Sequence, residues 1–313
     1  MPGVCLSAAV AFLALAASCL HPSFDALLMS PLMGMLLGNF IENKKRFEAG
    51  ARFCVSRVLP AALGLYGAQM VFPGPAMKFF LFFLPYALGA GLLFFVITFI
   101  VARGFGLESG ISLLLCAGLS VCGASGMAII SGVRGADRDD VSVSLISLWT
   151  VGLAGMFFMT FCPDALGLLP QKFAFMLGAA LPSLGLIRAA SASMGRTLAG
   201  LATSLKLIRT ALLAPLVMVL YFMKKTVRPL EALSFIAVFT GLALAVNLTG
   251  PAGLRLSETL APIGLLALSL CLAALGLTVD LDSIARKGAY PLLTALFAWS
   301  ISVLFIYLAM RAL

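Results

Sequence analysis

The stretch SVCGASGMAII (120–130) places a cysteine, two serines and two glycines inside a long apolar run. Glycine is a poor helix former, and serine competes for backbone hydrogen bonds. The apolar run on either side is long enough for one membrane-spanning helix, 109–132. We therefore predict that this helix is broken near its middle.

The composition around this stretch is that of a membrane protein. Hydrophobic residues make up 62% of the 313 residues, charged residues make up 11%, and the mean hydropathy is +1.12. Soluble domains carry about 25% charged residues, so lipid is the expected solvent. We predict an all-α fold in a single polytopic domain, 1–313. The predicted eleven helices are 4–20, 26–41, 53–72, 76–102, 109–132, 140–162, 171–190, 202–223, 231–248, 256–279 and 289–310.

The net charge of +9 indicates membrane topology and not nucleic-acid binding, because the basic residues lie mostly in loops. Eleven Lys and Arg residues fall in loops on the N-terminal side and seven on the other side. This excess predicts a cytoplasmic N-terminus, and the odd number of helices then predicts a C-terminus outside. No positive charge precedes the first apolar run, so we expect an uncleaved first helix.

An internal repeat is indicated by two features that share one offset of 152 residues. Arg57 aligns with Arg209, and VCGASG (121–126) aligns with AALGLT (273–278). We predict two inverted five-helix repeats, 26–162 and 171–313, preceded by one extra helix. Chance similarity between apolar segments is the alternative reading. Inverted repeats with paired glycine interruptions are typical of secondary transporters.

Paired breaks near the membrane centre predict a binding site. The N-terminus of a half-helix offers free N–H groups and partial positive charge, which suit an anion. The alternative is that the small residues only allow close helix packing. The candidate substrate-binding residues at the two breaks are Ser120, Cys122, Gly123, Ser125, Gly276 and Thr278.

The charge pattern favours an anionic substrate. All twelve acidic residues lie in loops or near predicted helix ends, whereas Arg57, Lys206 and Arg209 fall inside predicted helices. Lys206 and Arg209 are three residues apart and share one helix face. We add all three to the candidate substrate-binding residues. Snorkelling of these side chains to the membrane surface is the alternative.

The sequence offers no catalytic or metal-binding pattern. Its seven cysteines show no CxxC spacing, and no GxSxG, HExxH or phosphate-binding loop is present. We therefore expect no enzymatic activity, no cofactor and no metal. The expected partners are membrane lipid and a small anionic solute, with a homodimer left open.

The residues resemble the YeiH-like sulfate exporter family of bacterial membrane proteins. The resemblance is carried by LLLCAGLSVCGASGMAIISGVRGADRDDVSVSLISLWTVGLAGMF (113–157), GMLLGN (34–39), KLIRTALLAPLVMVL (206–220) and LSLCLAALGLTVDL (268–281). It implies a transporter with two crossed broken helices, with crossovers at 122–125 and 275–278. It also implies that the Lys206–Arg209 spacing follows the family pattern.

The chain departs from the family at GAALPSLGLIRAAS (178–191). The family shows a His-Glu pair and a Gln in this region, where this sequence has Leu181, Pro182, Ser183 and Leu184. Arg188 lies nearby and offers a different charge.

Together these features predict a secondary transporter of the bacterial inner membrane that moves a small, sulfate-like anion by alternating access. We expect Lys206→Gln and Arg209→Gln to weaken anion binding without unfolding the protein, and Gly123→Leu to abolish transport. One alternative is a sodium- or proton-coupled carrier of another small solute. The other is a membrane scaffold that has lost the polar site of the family.

Overall fold

The computed structural model describes residues 2–21, 24–41, 45–69, 74–161, 166–210, 212–224 and 229–312. Within these ranges the chain forms helices, turns and short loops and contains no strand, which confirms the all-α prediction for this part of the chain. Five segments are long and apolar enough to cross a membrane. They are Leu84–Gly104, Arg138–Phe161, Arg196–Val219, Pro251–Thr278 and Tyr290–Ala312.

The remaining predicted spans correspond to shorter or interrupted helices, except for 231–248, which corresponds to the 20-residue helix Pro229–Leu248. The count of eleven stays a prediction. The predicted loop segments 42–44 and 225–228, and Cys162, lie outside the described residues.

The helices divide into two compact units that interleave along the chain. The first unit comprises Met1–Met77, Gly132–Arg134 and Ala214–Val279. The second comprises Lys78–Ser131, Gly135–Leu213 and Asp280–Leu313. These units do not coincide with the predicted repeats 26–162 and 171–313, and the inverted repeat stays a prediction.

The first unit contains seven helices, which come from its two long sequence ranges. They are α1 (Pro2–Ser18), α2 (Ala26–Phe40), α3 (Lys45–Phe53), α4 (Leu59–Tyr66), α12 (Leu213–Lys224), α13 (Pro229–Leu248) and α14 (Pro251–Thr278). A π-helical turn, Cys54–Val58, joins α3 to α4, and a 3-10 turn, Gly67–Gln69, follows α4. This helical segment begins at Lys45, eight residues before the predicted start at 53, because the polar segment that was predicted as a loop is itself helical.

Close packing between α2 and α14 is the main feature of the first unit. A Cβ atom added to Gly34 would lie 2.5 Å from the Ala273 carbonyl oxygen, and one added to Gly38 would lie 2.6 Å from that of Leu277. From the other helix, a Cβ atom on Gly276 would lie 2.3 Å from the Pro31 carbonyl oxygen. Small residues on both helices therefore let the two backbones touch, as in other membrane helix pairs.

The predicted break at 273–278 is wrong. Helix α14 is continuous through Gly276 and ends only at Thr278, where Val279 takes an extended conformation (φ −70°, ψ 134°). The reason for the glycine is the contact with α2, because a larger residue at this position would collide with the Pro31 backbone. Close helix packing, the alternative to a broken helix, thus accounts for the glycine in 273–278.

The second unit contains the remaining helices. They are α5 (Gly74–Gly104), α6 (Ser109–Ala117), α7 (Ala124–Arg134), α8 (Arg138–Phe161), α9 (Pro170–Ala180), α10 (Leu184–Ala190), α11 (Arg196–Thr210), α15 (Ser283–Lys287) and α16 (Tyr290–Ala312). A π-helical turn, Gly118–Cys122, continues α6 towards α7. Two predicted single helices, 109–132 and 171–190, are each divided in two.

An ion-pair cluster connects α15 to the start of α8. Arg286 Nη2 lies 2.7 Å from an Asp139 carboxylate oxygen and 2.6 Å from one of Asp280, while Lys287 Nζ lies 2.8 Å from Asp140. Hydrogen bonds to Asp139 and Asp280 raise the pKa of Arg286, and the hydrogen bond to Asp140 raises the pKa of Lys287. The two Arg286 pairs are partly exposed, and exposed pairs contribute little to stability, whereas Asp140 is buried.

Candidate functional site

The first broken helix is interrupted at Gly123. The π-helical turn ends at Cys122, and Gly123 has φ 73° and ψ −135°, a conformation that residues with a Cβ atom rarely adopt. Helix α7 then begins at Ala124. The predicted break in SVCGASG is therefore confirmed, and it lies at Gly123. The structure shows a second reason why this position needs a glycine.

That second requirement is the close approach of another backbone. A Cβ atom on Gly123 would lie 2.6 Å from the Pro182 carbonyl oxygen and 3.3 Å from the Ser183 Cβ atom. The neighbouring chain is thus in direct contact with the first break. Any side chain at position 123 would need this contact to open.

The second broken helix is interrupted where the sequence has Leu181, Pro182 and Ser183. Leu181 ends α9 in an extended conformation (φ −78°, ψ 135°), as expected for a residue before proline. Ser183 is also extended, and its hydroxyl accepts a hydrogen bond from Leu186 N–H, which caps α10. The two breaks lie side by side within the second unit.

Arg209 stabilises the carbonyl ends at both breaks. Its Nε and Nη2 atoms donate to the Ser120 carbonyl oxygen at 3.1 and 2.9 Å, and Nη2 also donates to Leu119 at 2.6 Å. Its Nη1 atom donates to the carbonyl oxygens of Gly178, at 3.5 Å, and Ala179. A broken helix leaves such carbonyl groups without intrahelical partners, and one guanidinium supplies partners to both helices.

Two further side chains complete this arrangement. Trp299 Nε1 on α16 donates to the Ala180 carbonyl oxygen at 3.0 Å, the next carbonyl group along α9. The Phe94 ring on α5 lies under the Arg209 guanidinium, 5.1 Å from ring centre to Cζ, at cation–π distance. Arg209 is completely buried and held from several sides.

Lys206 lies one helical turn before Arg209 and has different surroundings. Its side chain is completely buried, and its amine has no hydrogen-bond partner among the described residues. The Arg209 guanidinium and the Cys122 thiol lie within electrostatic range of the amine, so all three groups are near the first break. A buried amine without a partner is costly and needs an explanation.

The N-terminal end of α7 presents polar groups beside this amine. The Cys122 thiol accepts a hydrogen bond from Gly126 N–H, and the Ser125 hydroxyl donates to the Cys122 carbonyl oxygen at 3.0 Å. Gly123 has no side chain with which to cap the helix. The positive end of α7, an 11-residue helix, is therefore not neutralised by an acidic side chain, and all of these groups are buried.

The structure brings together six of the nine predicted site residues. Ser120, Cys122, Gly123, Ser125, Lys206 and Arg209 all lie at the breaks in the second unit. The Ser120 hydroxyl donates to the Cys116 carbonyl oxygen, and the Ser120 carbonyl oxygen accepts hydrogen bonds from Arg209.

The other three predicted site residues lie in the first unit. Gly276 packs against α2, and the Thr278 hydroxyl donates to the Leu275 carbonyl oxygen at 2.7 Å at the end of α14. Arg57 lies inside the helical segment, in the π-helical turn, with its side chain exposed, and its role in the site stays a prediction.

Sequence reasoning missed Trp299, Phe94 and the second break. The signal for the break was available, because Pro182 ends a helix and Ser183 is a preferred helix-capping residue. The sequence analysis of 178–191 considered only the absence of the polar residues that the family shows there. No comparable signal identifies Trp299, whose partner Ala180 lies 119 residues away.

The described residues contain no group of three or more His, Cys, Asp or Glu side chains placed to hold a metal ion. No acidic residue occurs in the sequences of α5, α6, α7, α9, α10 or α11. The chemistry that this site offers is therefore hydrogen-bond donation and positive charge.

Comparison with known proteins places the chain in a membrane protein family. The sequence profile of the family described as "Conserved hypothetical protein 698" matches residues 2–295. The chain is 27% identical to a UPF0324 membrane protein of Archaeoglobus fulgidus, over 92% of this chain and 85% of the relative. It is 26% identical to the UPF0324 inner membrane protein YeiH of Salmonella typhimurium, over 96% of this chain and 91% of the relative.

A UPF0324 membrane protein of Streptococcus agalactiae is also similar, at 26% identity over 93% of this chain and 91% of the relative. No solved structure matches the chain. The predicted resemblance to YeiH-like proteins is confirmed by these matches. The chain is a membrane protein and belongs to the Conserved hypothetical protein 698 family of UPF0324 membrane proteins, which includes YeiH.

Proposed function

We propose that this protein is a secondary transporter of the inner membrane that binds a small anion at the Lys206 amine. The observation that carries the proposal is the burial of this amine without a hydrogen-bond partner among the described residues. An anion that accepts a hydrogen bond and supplies negative charge would remove the cost of burying the group.

The surrounding charges support this proposal. Two basic side chains, Lys206 and Arg209, are completely buried within one helical turn, and the helices packed around them contribute no carboxylate. The positive end of α7 adds to the same potential. A small anion is the ligand that this combination of donors and charge would attract.

The two roles of the basic residues differ in this proposal. The nitrogens of Arg209 are used by backbone carbonyl groups, so it holds the two broken helices in place. Lys206 keeps its donors for the solute, close to the start of α7. The lost His-Glu pair of the family leaves Leu181 to Leu184 at the second break, so the anion would be held mainly from the first break.

The inner-membrane location is extended from the Salmonella relative, which is named an inner membrane protein. Alternating access and a cytoplasmic N-terminus remain part of the proposal, supported by the broken helices and the distribution of Lys and Arg.

A sodium-coupled carrier is the nearest rival. Sodium would need oxygen ligands, and carbonyl groups freed by broken helices are a natural source. Here the carbonyl groups of Leu119, Ser120, Gly178 and Ala179 accept hydrogen bonds from Arg209, and Ala180 accepts one from Trp299. These contacts favour the anion over sodium at this place. A scaffold without transport activity is the other rival, and it predicts no ligand at all.

The test is a thermal-stability panel on the detergent-purified protein. Sulfate, sulfite, thiosulfate, a sulfonate and small carboxylates are added at constant ionic strength, with and without sodium. A ligand at about one hundred times its dissociation constant stabilises by about 2.7 kcal/mol, which a melting curve resolves. We expect at least one anion to raise the melting temperature of the native protein.

Two variants locate the site. Lys206→Gln removes the amine and should abolish the anion-induced shift. Arg196→Gln removes an exposed positive charge from the same helix and should leave the shift unchanged. Equal shifts in all three proteins would place the anion elsewhere, a shift with sodium alone would favour the sodium-coupled carrier, and no shift with any anion would overturn the proposal.

A further inference from the structure

Among the described residues, the Lys206 amine has one positive neighbour, Arg209, and no negative one. It lies on α11, which packs against α9, α10 and the π-helical turn before Gly123, and α5 contacts Arg209 on the same helix. The titratable and charged groups on these elements are Lys78, Tyr86, Arg103, Cys122, Lys172, Arg188, Arg196 and Arg209. Of these, Arg209 and Cys122 interact electrostatically with Lys206.

A proton on the Lys206 amine therefore needs a negative partner that the described residues do not supply. Protonation places a second positive charge beside the Arg209 guanidinium in buried, low-dielectric surroundings, which is unfavourable without a counter-ion. An anion bound at the amine supplies that counter-charge. Each of the two, anion and proton, makes binding of the other more favourable, and such coupling is reciprocal.

We infer that the site binds its anion together with one proton, which is held on the Lys206 amine. This inference rests on the proposed function and identifies the coupling ion for the same site. The proton comes from water on the side to which the site is open and forms the third N–H bond of the ammonium. When the anion leaves, the ammonium returns this proton to the water on the other side, so anion and proton cross the membrane in the same direction.

Co-binding also explains why a lysine is more suitable than an arginine at position 206. An arginine carries its charge at every physiological pH, whereas a lysine amine can gain and lose a proton when it is buried. Arg209, three residues away, is held by fixed carbonyl groups and needs a permanent charge. Lys206 needs a charge only while the anion is bound.

The experiment is a calorimetric titration of the native protein with sulfate, which keeps its charge between about pH 6 and about pH 9. Repeating the titration in buffers of different ionisation enthalpy gives the number of protons taken up. We expect one proton per bound sulfate, and an affinity that falls about tenfold per pH unit wherever uptake is complete. Arg196→Gln should take up the same number of protons.

Lys206→Arg is the diagnostic variant, since it keeps the charge but cannot release it. It should bind sulfate without proton uptake and with little dependence on pH. In vesicles of phosphatidylethanolamine and phosphatidylglycerol, an inward sulfate gradient should acidify the interior with the native protein and fail to do so with the variant. Sulfate binding to the native protein without proton uptake at any pH would overturn the inference and leave the proposed anion site intact, whereas absence of binding would overturn both.

Discussion

Lys206 and Arg209 lie one turn apart on α11, and both are completely buried, yet their surroundings are opposite. Arg209 donates to carbonyl groups from two broken helices, while the Lys206 amine has no hydrogen-bond partner in the part of the chain that the structure describes. A satisfied buried charge contributes to stability, and an unsatisfied one reduces it. Stability and binding are therefore expected to depend on different members of this pair.

The first prediction concerns Arg209→Gln. Removing the guanidinium leaves four buried carbonyl groups short of a donor, at a cost of about 1 to 3 kcal/mol each if none is compensated. Part of this is recovered by the new amide, so we expect a loss of at least about 3 kcal/mol in the free energy of unfolding. The measurement is the melting temperature in detergent without added anion, which should fall by many degrees.

Lys206→Met is the matched comparison for this prediction. It removes the unpartnered amine and keeps most of the side-chain volume, so the melting temperature should stay equal or rise. A larger loss of stability in Lys206→Met than in Arg209→Gln would contradict the roles described here. The expectation from the sequence, that Arg209→Gln leaves folding intact, is replaced by this one.

The sequence could show that these two bases share a buried face, because their spacing and apolar surroundings were visible. It could not show which of the two side chains has hydrogen-bond partners. That depends on carbonyl groups of residues about 30 and 90 positions away, which come close only in the folded chain.

At the scale of helices, one break could be predicted and the other was assigned to the wrong segment. The cluster of small and polar residues at 120–126 weakens a helix locally, and the break follows at Gly123. A lone glycine costs a helix only about 1 kcal/mol, and close packing readily compensates for that. Gly276 is such a case, because α2 contacts it through the Pro31 backbone.

The second prediction tests this packing role of Gly276. In Gly276→Ala the new Cβ atom would lie 2.3 Å from the Pro31 carbonyl oxygen, so α2 and α14 must separate. Overpacking of this kind costs about 1 to 3 kcal/mol. We expect a lower melting temperature with an unchanged dissociation constant for the anion in the protein that remains folded.

Gly264→Ala on the same helix is the control. Its nearest neighbours, atoms of Leu65, would lie 3.5 Å from the new Cβ atom, an ordinary contact distance, so the variant should be tolerated or slightly stabilised. If Gly276→Ala weakened anion binding as strongly as Lys206→Gln and left stability unchanged, the site role predicted from the sequence would be restored.

At the scale of the whole molecule, the composition predicts a helical membrane protein but does not predict which helices pack together. A chain with 62% hydrophobic and 11% charged residues must fold in lipid, and the all-helical fold follows because helices satisfy their own backbone groups there. The interleaving of two compact units could not be read from the apolar runs. Those runs give helix positions but carry no information on which helices pack together.

The third prediction concerns how the chain crosses the membrane. The excess of Lys and Arg on one set of loops predicts a cytoplasmic N-terminus, and eleven crossings then place the two termini on opposite sides. This number requires the broken helix formed by α6 and α7 to cross once. Neither half is long enough to do so alone, and Lys287 contacts both Glu108, before α6, and Asp140, after α7. The structure therefore favours a broken helix that enters and leaves on one side. The measurement is a series of fusions to alkaline phosphatase, which is active only outside, and to green fluorescent protein, which fluoresces only in the cytoplasm.

Fusions after Gly106 and after Asp137 bracket this broken helix, and a fusion after Leu313 reports the C-terminus. Because Lys287 contacts both Glu108 and Asp140, we expect fluorescence after both Gly106 and Asp137, and phosphatase activity after Leu313. Opposite reporter signals after Gly106 and Asp137 would mean that the broken helix crosses the membrane once, as the count of eleven requires. That result would move Gly123 from the tip of a re-entrant segment, where its backbone could meet solute from one side of the membrane only, to the centre of a crossing.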